Sequence, residues 1–316
     1  MNIVITGGRG FVGGNLIKLL KASGGYNIKV LTRGSDQKID DIKYTSVNYR
    51  DFKSLKSATE GSDVIVHLAA TLFARSKKEF LMENVNSTKN LVKAANENGV
   101  KKIIYISSLA AGGASSPEKP IDETKPENPV SFYGLSKLLA EKELELLSNT
   151  NYIILRPPII YGPNDDSCST IALWVKRGIM VSPSNKNSMF SFIYVNDLCK
   201  CIEIAIKDNT LKREKFYLSE HEFYTWQNFI YNIADSMRVK RPIIPTLPYS
   251  VLYLTSLSYE IISYIFNTKP VLNRDKIREA AVSHWVANPT KWEEKTGFKS
   301  WTPLIEGLKE SFTNLL

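Results

Sequence analysis

Short apolar runs alternate with longer stretches in which apolar residues recur every three or four positions through the first half of the chain. Asn2–Thr6 (NIVIT), Ile28–Thr32 (IKVLT), Tyr44–Val47, Val64–Leu68 (VIVHL), Lys102–Ser107 (KIIYIS) and Tyr152–Arg156 (YIILR) predict strands. Leu81, Val85, Leu91, Val92 and Ala95 predict a helix that Asn98-Gly99 stops, and Leu135, Leu138, Leu139, Leu146 and Leu147 predict a second. Such alternation makes a parallel sheet covered by helices on both faces, and nearly continuous apolar strands suit burial on both sides. The expected class is α/β, with a doubly wound parallel sheet.

Beyond about Gly162 the rhythm changes. Pro242, Pro245 and Pro248 cluster, and aromatic residues (Tyr217, Phe223, Tyr224, Trp226, Phe229) become frequent. The expected division is a first domain over 1–162, with a segment near 190–218 returning to it, and a smaller, mostly helical substrate lobe over 163–316. Phe190–Val195 (FSFIYV) is a candidate for a strand returning to the main sheet. Val251–Phe266 is apolar but too short and too interrupted by serines, tyrosines and Glu260 to span a bilayer. It is expected as a core helix of the lobe; contact with a lipophilic substrate or a membrane surface stays open.

Composition narrows the function classes. With 316 residues, 43% hydrophobic and 23% charged, the chain is an ordinary globular one, long enough for two domains without disulfide or metal staples. The 41 basic residues against 32 acidic give +9, which favours anionic ligands. No dense basic run interleaved with aromatics points to nucleic acid. Cys168, Cys199 and Cys201 make no disulfide framework, and with His67, His221 and His284 they show no metal-ligand spacing. A cytoplasmic home is expected, since the first strand leads straight into a glycine turn and leaves no room for a signal peptide.

That turn, Thr6-Gly7-Gly8-Arg9-Gly10-Phe11-Val12-Gly13, follows a strand and opens a helix bearing Leu16, Ile17, Leu19 and Leu20. In a dinucleotide site Gly7 permits the tight turn, Gly10 lets backbone approach a pyrophosphate, and Gly13 lets helix and strand pack closely. The helix N-terminus offers free N–H groups and partial positive charge to the phosphates. About twenty residues on, NAD sites carry an acid for the ribose 2′-hydroxyl; this chain has Leu31-Thr32-Arg33-Gly34. A guanidinium there suits a 2′-phosphate, and Arg9 approaches the same region, so NADP is favoured while Asp36 keeps NAD open.

Tyr133-Gly134-Leu135-Ser136-Lys137 puts a phenol and an ammonium one helical turn apart. A cation beside tyrosine stabilises its phenolate and makes proton exchange with an alcohol or carbonyl feasible near neutrality. Lys137 can also bond the nicotinamide ribose. Ser108, at the end of the KIIYIS strand, can polarise a substrate oxygen.

At this point the chain resembles the extended short-chain dehydrogenases/reductases, which include nucleotide-sugar epimerases and dehydratases. The motifs are TGGRGFVG at 6–13, HLAA at 67–70, NVNSTKNL at 84–91, ISS at 106–108, YGLSK at 133–137, LRPPIIYGP at 155–163 and FIYVNDL at 192–198. The resemblance implies a Rossmann domain with a smaller substrate domain, and a Ser108–Tyr133–Lys137 catalytic triad with Ser107 as the fallback. It places Phe11, Val12 and Pro157 in the cofactor set, Leu68, Ala69 and Ala70 along the nicotinamide side, and Asn48 where the family has an adenine-binding aspartate. Asn86 matches a structural asparagine, and Arg156 is expected in a structural ion pair. A homodimer through the helices near 81–98 and 133–147 is implied too. Sugar-nucleotide epimerases carry an asparagine three residues after the arginine of an LRxxN motif, where this chain has Ile159, expected to be buried. LRPP and the tail, with Pro270-Val271-Leu272 and the Gly297 to Leu308 pattern, look more like the hydroxysteroid dehydrogenase and dihydroflavonol reductase branch. The expected activity is an NADP(H)-dependent interconversion of a secondary alcohol and a ketone on a small, moderately apolar substrate. The alternative is a nucleotide-sugar epimerase or dehydratase with tightly held NAD(P), and a non-catalytic dinucleotide sensor is a third.

Overall fold

The computed structural model describes residues 1–147, 149–182, 187–282 and 284–313. Seven strands come first: β1 (Asn2–Thr6), β2 (Asn27–Thr32), β3 (Gln37–Ile39), β4 (Ile42–Ser46), β5 (Val64–His67), β6 (Lys102–Ile106) and β7 (Asn151–Arg156). Three short ones follow, β8 (Ile159–Tyr161), β9 (Met189–Phe190) and β10 (Phe192–Tyr194), then β11 (Glu214–Tyr217), β12 (Tyr224–Thr225) and β13 (His284–Trp285). The central sheet runs β11-β7-β6-β5-β1-β2-β4-β3 and is parallel except where β3 lies antiparallel to β4. The order reverses direction between β1 and β5, which makes a crevice at their carboxyl ends, the place where doubly wound sheets bind ligands.

The strands alternate their side chains between two cores. Ile3, Ile5, Val64, Val66, Ile104, Ile153 and Leu155 enter one core, while Val4, Ile65, Ile103, Tyr105 and Ile154 enter the other. Helices cover both faces: α1 (Phe11–Ser23), α2 (Phe52–Thr59), α3 (Lys77–Phe80), α4 (Ser87–Glu97) and α5 (Phe132–Glu145). The expected 81–98 helix is a composite, in which α3 passes through a π-helical stretch, Leu81–Asn86, into α4. The second predicted helix ends at Glu145, with Leu146 fully outside and Leu147 buried beyond it.

The remaining helices are α6 (Asp166–Lys176), α7 (Val195–Lys207), α8 (Trp226–Ser236), α9 (Tyr249–Ile265), α10 (Arg274–Ala281), α11 (Thr290–Thr296) and α12 (Leu304–Phe312). Of these, α7 packs on α1 and α11 packs on the edge strand β11, while α6 and α12 pack on α8 and α10 packs on α9. Among the described residues no helix is long and apolar enough to cross a membrane.

Two expectations need correction. Phe190–Val195 does not return to the main sheet. Ser191 breaks it by donating its N–H to the Trp285 carbonyl and accepting the Ala287 N–H, so β9 pairs with β12 and β13 while β10 pairs with β8. The strand that closes the sheet is β11, which pairs with β7. It is an edge strand whose first two positions, Glu214 and Lys215, are charged and only partly buried, and so lacks the apolar run of an interior strand. The second correction is α9, expected in the core. Only Ser256 and Ser263 are buried along it; Leu252, Tyr253 and Leu257 are half-buried, and its other large apolar side chains face outward.

Candidate active site

The reversal point sets the site. Thr6 and His67 are register partners at the ends of β1 and β5. Thr6 Oγ1 lies 2.7 Å from His67 Nδ1 and accepts the Ala69 N–H at 3.1 Å, while His67 Nε2 lies 2.9 Å from Thr88 Oγ1. Burial, then the charge of Lys137, pulls the His67 pKa down to about 3, so the ring is a neutral tie between two strand ends. From here the glycine turn leaves β1. Gly7 sits at φ +72°, and a Cβ on it would lie 2.8 Å from the Ala69 nitrogen. A Cβ on Gly13 would lie 2.3 Å from the Gly7 carbonyl oxygen. The turn and the loop after β5 therefore touch backbone to backbone. Gly10 occupies the N-cap of α1 with no side-chain cap, which leaves the first-turn N–H groups for an anion.

These elements open onto a cavity of about 910 Å³. Gly7, Arg9, Gly10, Phe11, Val12, Gly13, Arg33, Leu68, Ala69, Ala70, Ser108, Tyr133, Lys137 and Pro157, all expected from the sequence, line it. Asn48 does not. Its carboxamide oxygen accepts the Arg50 N–H, and the neighbouring Tyr49 lines the wall, donating its hydroxyl to the Leu31 carbonyl. At the end of β2, Thr32 Oγ1 accepts the Gly34 N–H, Arg9 stacks 5.4 Å from the Tyr44 ring, and the exposed Arg33 lies 3.6 Å from Glu83. Glu83 also pairs with Arg50. Three guanidiniums stand here against two carboxylates, Glu83 and the exposed Asp36, which accepts the Ser46 N–H at the neighbouring strand end, so this end stays positive. The uncapped helix, the backbone cradle and the cationic end fit a dinucleotide.

Ser108, Tyr133 and Lys137 stand at the other end. Tyr133 lies in the first turn of α5, which Ser131 caps by accepting the Gly134 N–H. The Lys137 amine is buried, donates to the Ile106 carbonyl at 2.6 Å and stands 4.2 Å from the Tyr105 ring. Burial pulls its pKa down to about 7, against the opposing pull of Glu141. The expectation that Lys137 lowers the Tyr133 phenol is not met here. Burial of the hydroxyl, followed by the Glu279 charge, raises it well above its ordinary value, and only a hydrogen bond with Ser108 works the other way. Tyr133 is accordingly a protonated acid at rest.

Ser108 and Ser107 separate cleanly. Ser107 donates to Glu141, inside a buried network in which Arg156 makes two bonds to the Glu141 carboxylate and one to the Tyr217 hydroxyl. Ser108 accepts the Ala110 N–H as the cap of a short 3-10 turn and faces the cavity beside Tyr133. Arg156 is the structural ion-pair residue expected. Ile159 is not buried: it is partly exposed and forms part of the cavity wall.

Sequence reading missed several residues. The buried tethering asparagine is Asn84, not the exposed Asn86: its side chain accepts from Thr71 N–H and donates to the Thr71 carbonyl and to Ser136 Oγ, between Tyr133 and Lys137. The π-helical stretch shifts which positions face inward. From α10, Asp275 accepts the Phe132 and Tyr133 N–H groups, and Glu279 accepts from Ser131. Lys276 sits 4.9 Å from the Tyr133 ring and 2.7 Å from Glu279. The docking of α10 onto α5 is a tertiary contact that no local sequence pattern announces.

A doubly wound sheet with this glycine turn and this serine–tyrosine–lysine set defines a nicotinamide-dinucleotide enzyme of the extended short-chain dehydrogenase/reductase type. Residues 3–218 match the model of the NAD dependent epimerase/dehydratase family, and the chain belongs to that family. It is 28% identical to a UDP-glucose 4-epimerase of Vibrio cholerae, over 98% of this chain and 94% of that one. It is 23% identical to 3beta-hydroxysteroid-dehydrogenase/decarboxylase isoform 2 of Arabidopsis thaliana, over 99% of this chain and 62% of that one. Among solved structures, the UDP-glucose 4-epimerase of Thermotoga maritima with UDP-glucose superposes with a TM-score of 0.80 at 21% identity, covering 100% of this chain and 98% of that one.

Proposed function

We propose that the protein is an NADP(H)-dependent oxidoreductase that interconverts a secondary alcohol and a ketone on a small, moderately apolar substrate. One observation carries the reading. A second recess of about 270 Å³ adjoins the large cavity, and Ser108 and Tyr133 line both. The reacting pair thus stands where a dinucleotide and a substrate meet. The recess is walled by Leu109, Pro158, Ile159, Phe190, Trp226 and Trp285, with Lys276 and Glu279 at one side. Aromatic and aliphatic walls reward an apolar skeleton, at about 25 cal/mol per Å² of apolar surface covered.

The glycine turn, the α1 N-terminus and Lys137 would hold the cofactor, which supplies the hydride acceptor or donor when bound. Ser108 offers its hydroxyl to the substrate oxygen and fixes its position. Tyr133, protonated at rest, gives its proton to that oxygen as negative charge develops on it during reduction. In the reverse direction it must accept the proton, and the hydrogen bond with Ser108 is what favours the phenolate that results. The resting ionisation therefore suits ketone reduction.

Nucleotide-sugar 4-epimerisation is the second reading, favoured by the Vibrio cholerae relative matched over nearly its whole length. Purified protein given NADPH or NADH with a panel of apolar ketones, and separately with UDP-glucose, decides between them. Ketone-dependent consumption of NADPH is expected. Turnover of UDP-glucose with no net change in added nicotinamide overturns the reductase reading.

The cofactor preference has its own check. Arg33→Ala is expected to weaken NADPH binding by about tenfold or more, the worth of a charge-assisted hydrogen bond, and NADH binding far less. Calorimetry giving equal losses for both removes Arg33 from a 2′-phosphate contact.

A further inference from the structure

The helix α9 is built inside out. Its buried positions are small and polar, Ser256 and Ser263, while Leu254, Ile261, Ile262, Ile265 and the following Phe266 stand half or more exposed. Val271 and Leu272 continue the exposed apolar surface past its end. Glu260 is its one charged residue, and that carboxylate is turned onto Arg274, accepting from both its N–H and its guanidinium. Two hydroxyls on the outer side are spent within the helix: Thr255 donates to the Val251 carbonyl and Ser258 to the Leu254 carbonyl. The outward face therefore asks for water only at Ser250, in its first turn, and at its tyrosine hydroxyls. Seventeen residues make it about 25 Å long.

The surroundings of this face are cationic. Arg75, Lys269, Arg274 and Arg278 are exposed and lie by the C-terminal end of α9 or on the segment and helix that follow it, and the exposed Lys77 and Lys78 come directly after Arg75 on α3. Arg75 Nε donates to the Thr268 carbonyl at 2.9 Å, Lys269 reaches Glu79 at 3.5 Å, and Lys77 and Arg278 both lie over the Phe132 ring. The whole chain carries +9. A second copy seated on α9 in a two-fold pair would bring two such collars together, and like charges oppose that pairing. An anionic lipid surface satisfies both features: the acyl region takes the aliphatic face, tyrosines lie at the headgroup level, and the collar meets the phosphates.

We propose that α9 and Val271–Leu272 form an interfacial helix by which this protein lies on anionic lipid. The site opens beside that surface. Leu72, exposed and three residues before Arg75, lines the cofactor cavity, and α10, which packs on α9, contributes Lys276 and Glu279 to the substrate recess. Lipid docking rests on the surface alone and stands whichever reaction the site performs.

Flotation of the purified protein with phosphatidylcholine vesicles, with and without phosphatidylglycerol, tests it. Binding to the phosphatidylglycerol vesicles is expected, weakened by high salt. The double variant Ile261→Asp/Ile265→Asp should bind about tenfold or more weakly, since it places two charges where apolar side chains enter the lipid. Lys78→Glu/Arg278→Glu should also weaken binding, and Leu146→Asp, at an exposed leucine elsewhere, should leave it unchanged. Matching circular dichroism and thermal midpoints establish that the variants are folded. Failure to float with phosphatidylglycerol vesicles overturns the proposal, as does binding that the Ile261/Ile265 pair does not affect. Light scattering that shows a dimer dissociated by that same pair also overturns it, in favour of a second copy of the chain.

Discussion

Tyr133→Phe is expected to lower turnover by about a thousandfold while leaving nucleotide affinity nearly intact. The size follows from losing a positioned general acid, worth about 10² to 10⁴ in rate. Phenylalanine preserves the ring against Phe80, 6.2 Å away, and leaves both backbone bonds from Tyr133 and Phe132 to Asp275 in place. The hydroxyl alone goes. Single-turnover kinetics with a ketone, alongside fluorescence titration of NADPH, separates the two quantities. A variant keeping most of its turnover removes Tyr133 from the chemistry; a variant that loses nucleotide instead shows that the substitution disturbed α5. The same experiment applies if the protein is an epimerase, because oxidation of a sugar hydroxyl needs the same proton relay.

How much of this site was legible in the sequence depended on how local the signal was. The glycine turn was readable because its requirement is a backbone one: Gly7 and Gly13 have no room for a Cβ, and strand, turn and helix are contiguous. Ser108, Tyr133 and Lys137 stand in the cavity for a related reason: Ser108 follows the end of β6, and Tyr133 and Lys137 lie in the first two turns of α5, where neighbouring elements are fixed by the sheet. The ionisation of Tyr133 was not. It depends on burial and on Glu279, a residue on α10 that reaches α5 only through tertiary packing. Asn84 was displaced from the expected Asn86 by a π-helical stretch that periodicity does not reveal. The edge strand β11 and the outward face of α9 were missed by opposite errors. A polar edge strand lacks the apolar run that announces a strand, and an apolar helix carries no mark of which side faces out.

The role of α10 links the two parts of the molecule. Asp275 takes the N–H groups of Phe132 and Tyr133, where the partial positive charge of the α5 N-terminus favours an anion. Ser131 caps the same turn and donates to Glu279. Helix α10 therefore grips the turn of α5 that carries Tyr133, so the angle at which Tyr133 enters the cavity is set by α10 as well as by the sheet.

The largest stability loss is expected at Arg156→Met. Arg156 is buried at the end of β7 and bonds both oxygens of Glu141, which has no exposed surface at all. Its remaining donors reach Tyr217 and Glu127, and Lys215 shares Glu127 at 2.7 Å. Glu141 raises the guanidinium's pKa despite burial, which is the mark of a charge held by its partner. Methionine fills much of the volume but strands the Glu141 carboxylate with the Ser107 hydroxyl as its nearest donor. Removing one member of a buried pair costs about 3–5 kcal/mol, whereas replacing both with apolar groups is often nearly neutral. Arg156→Met should therefore shift the urea midpoint sharply downward, and Arg156→Met/Glu141→Leu should recover much of the loss. Because Ser107 and Ser108 are adjacent, the single variant should also disturb catalysis through the strand end, and the double variant should restore it in part. A single variant as stable as the parent would mean that Glu141 is not dependent on Arg156 for its charge, and the network would then be packing rather than an ion pair that fixes the end of β6 beneath the reacting residues.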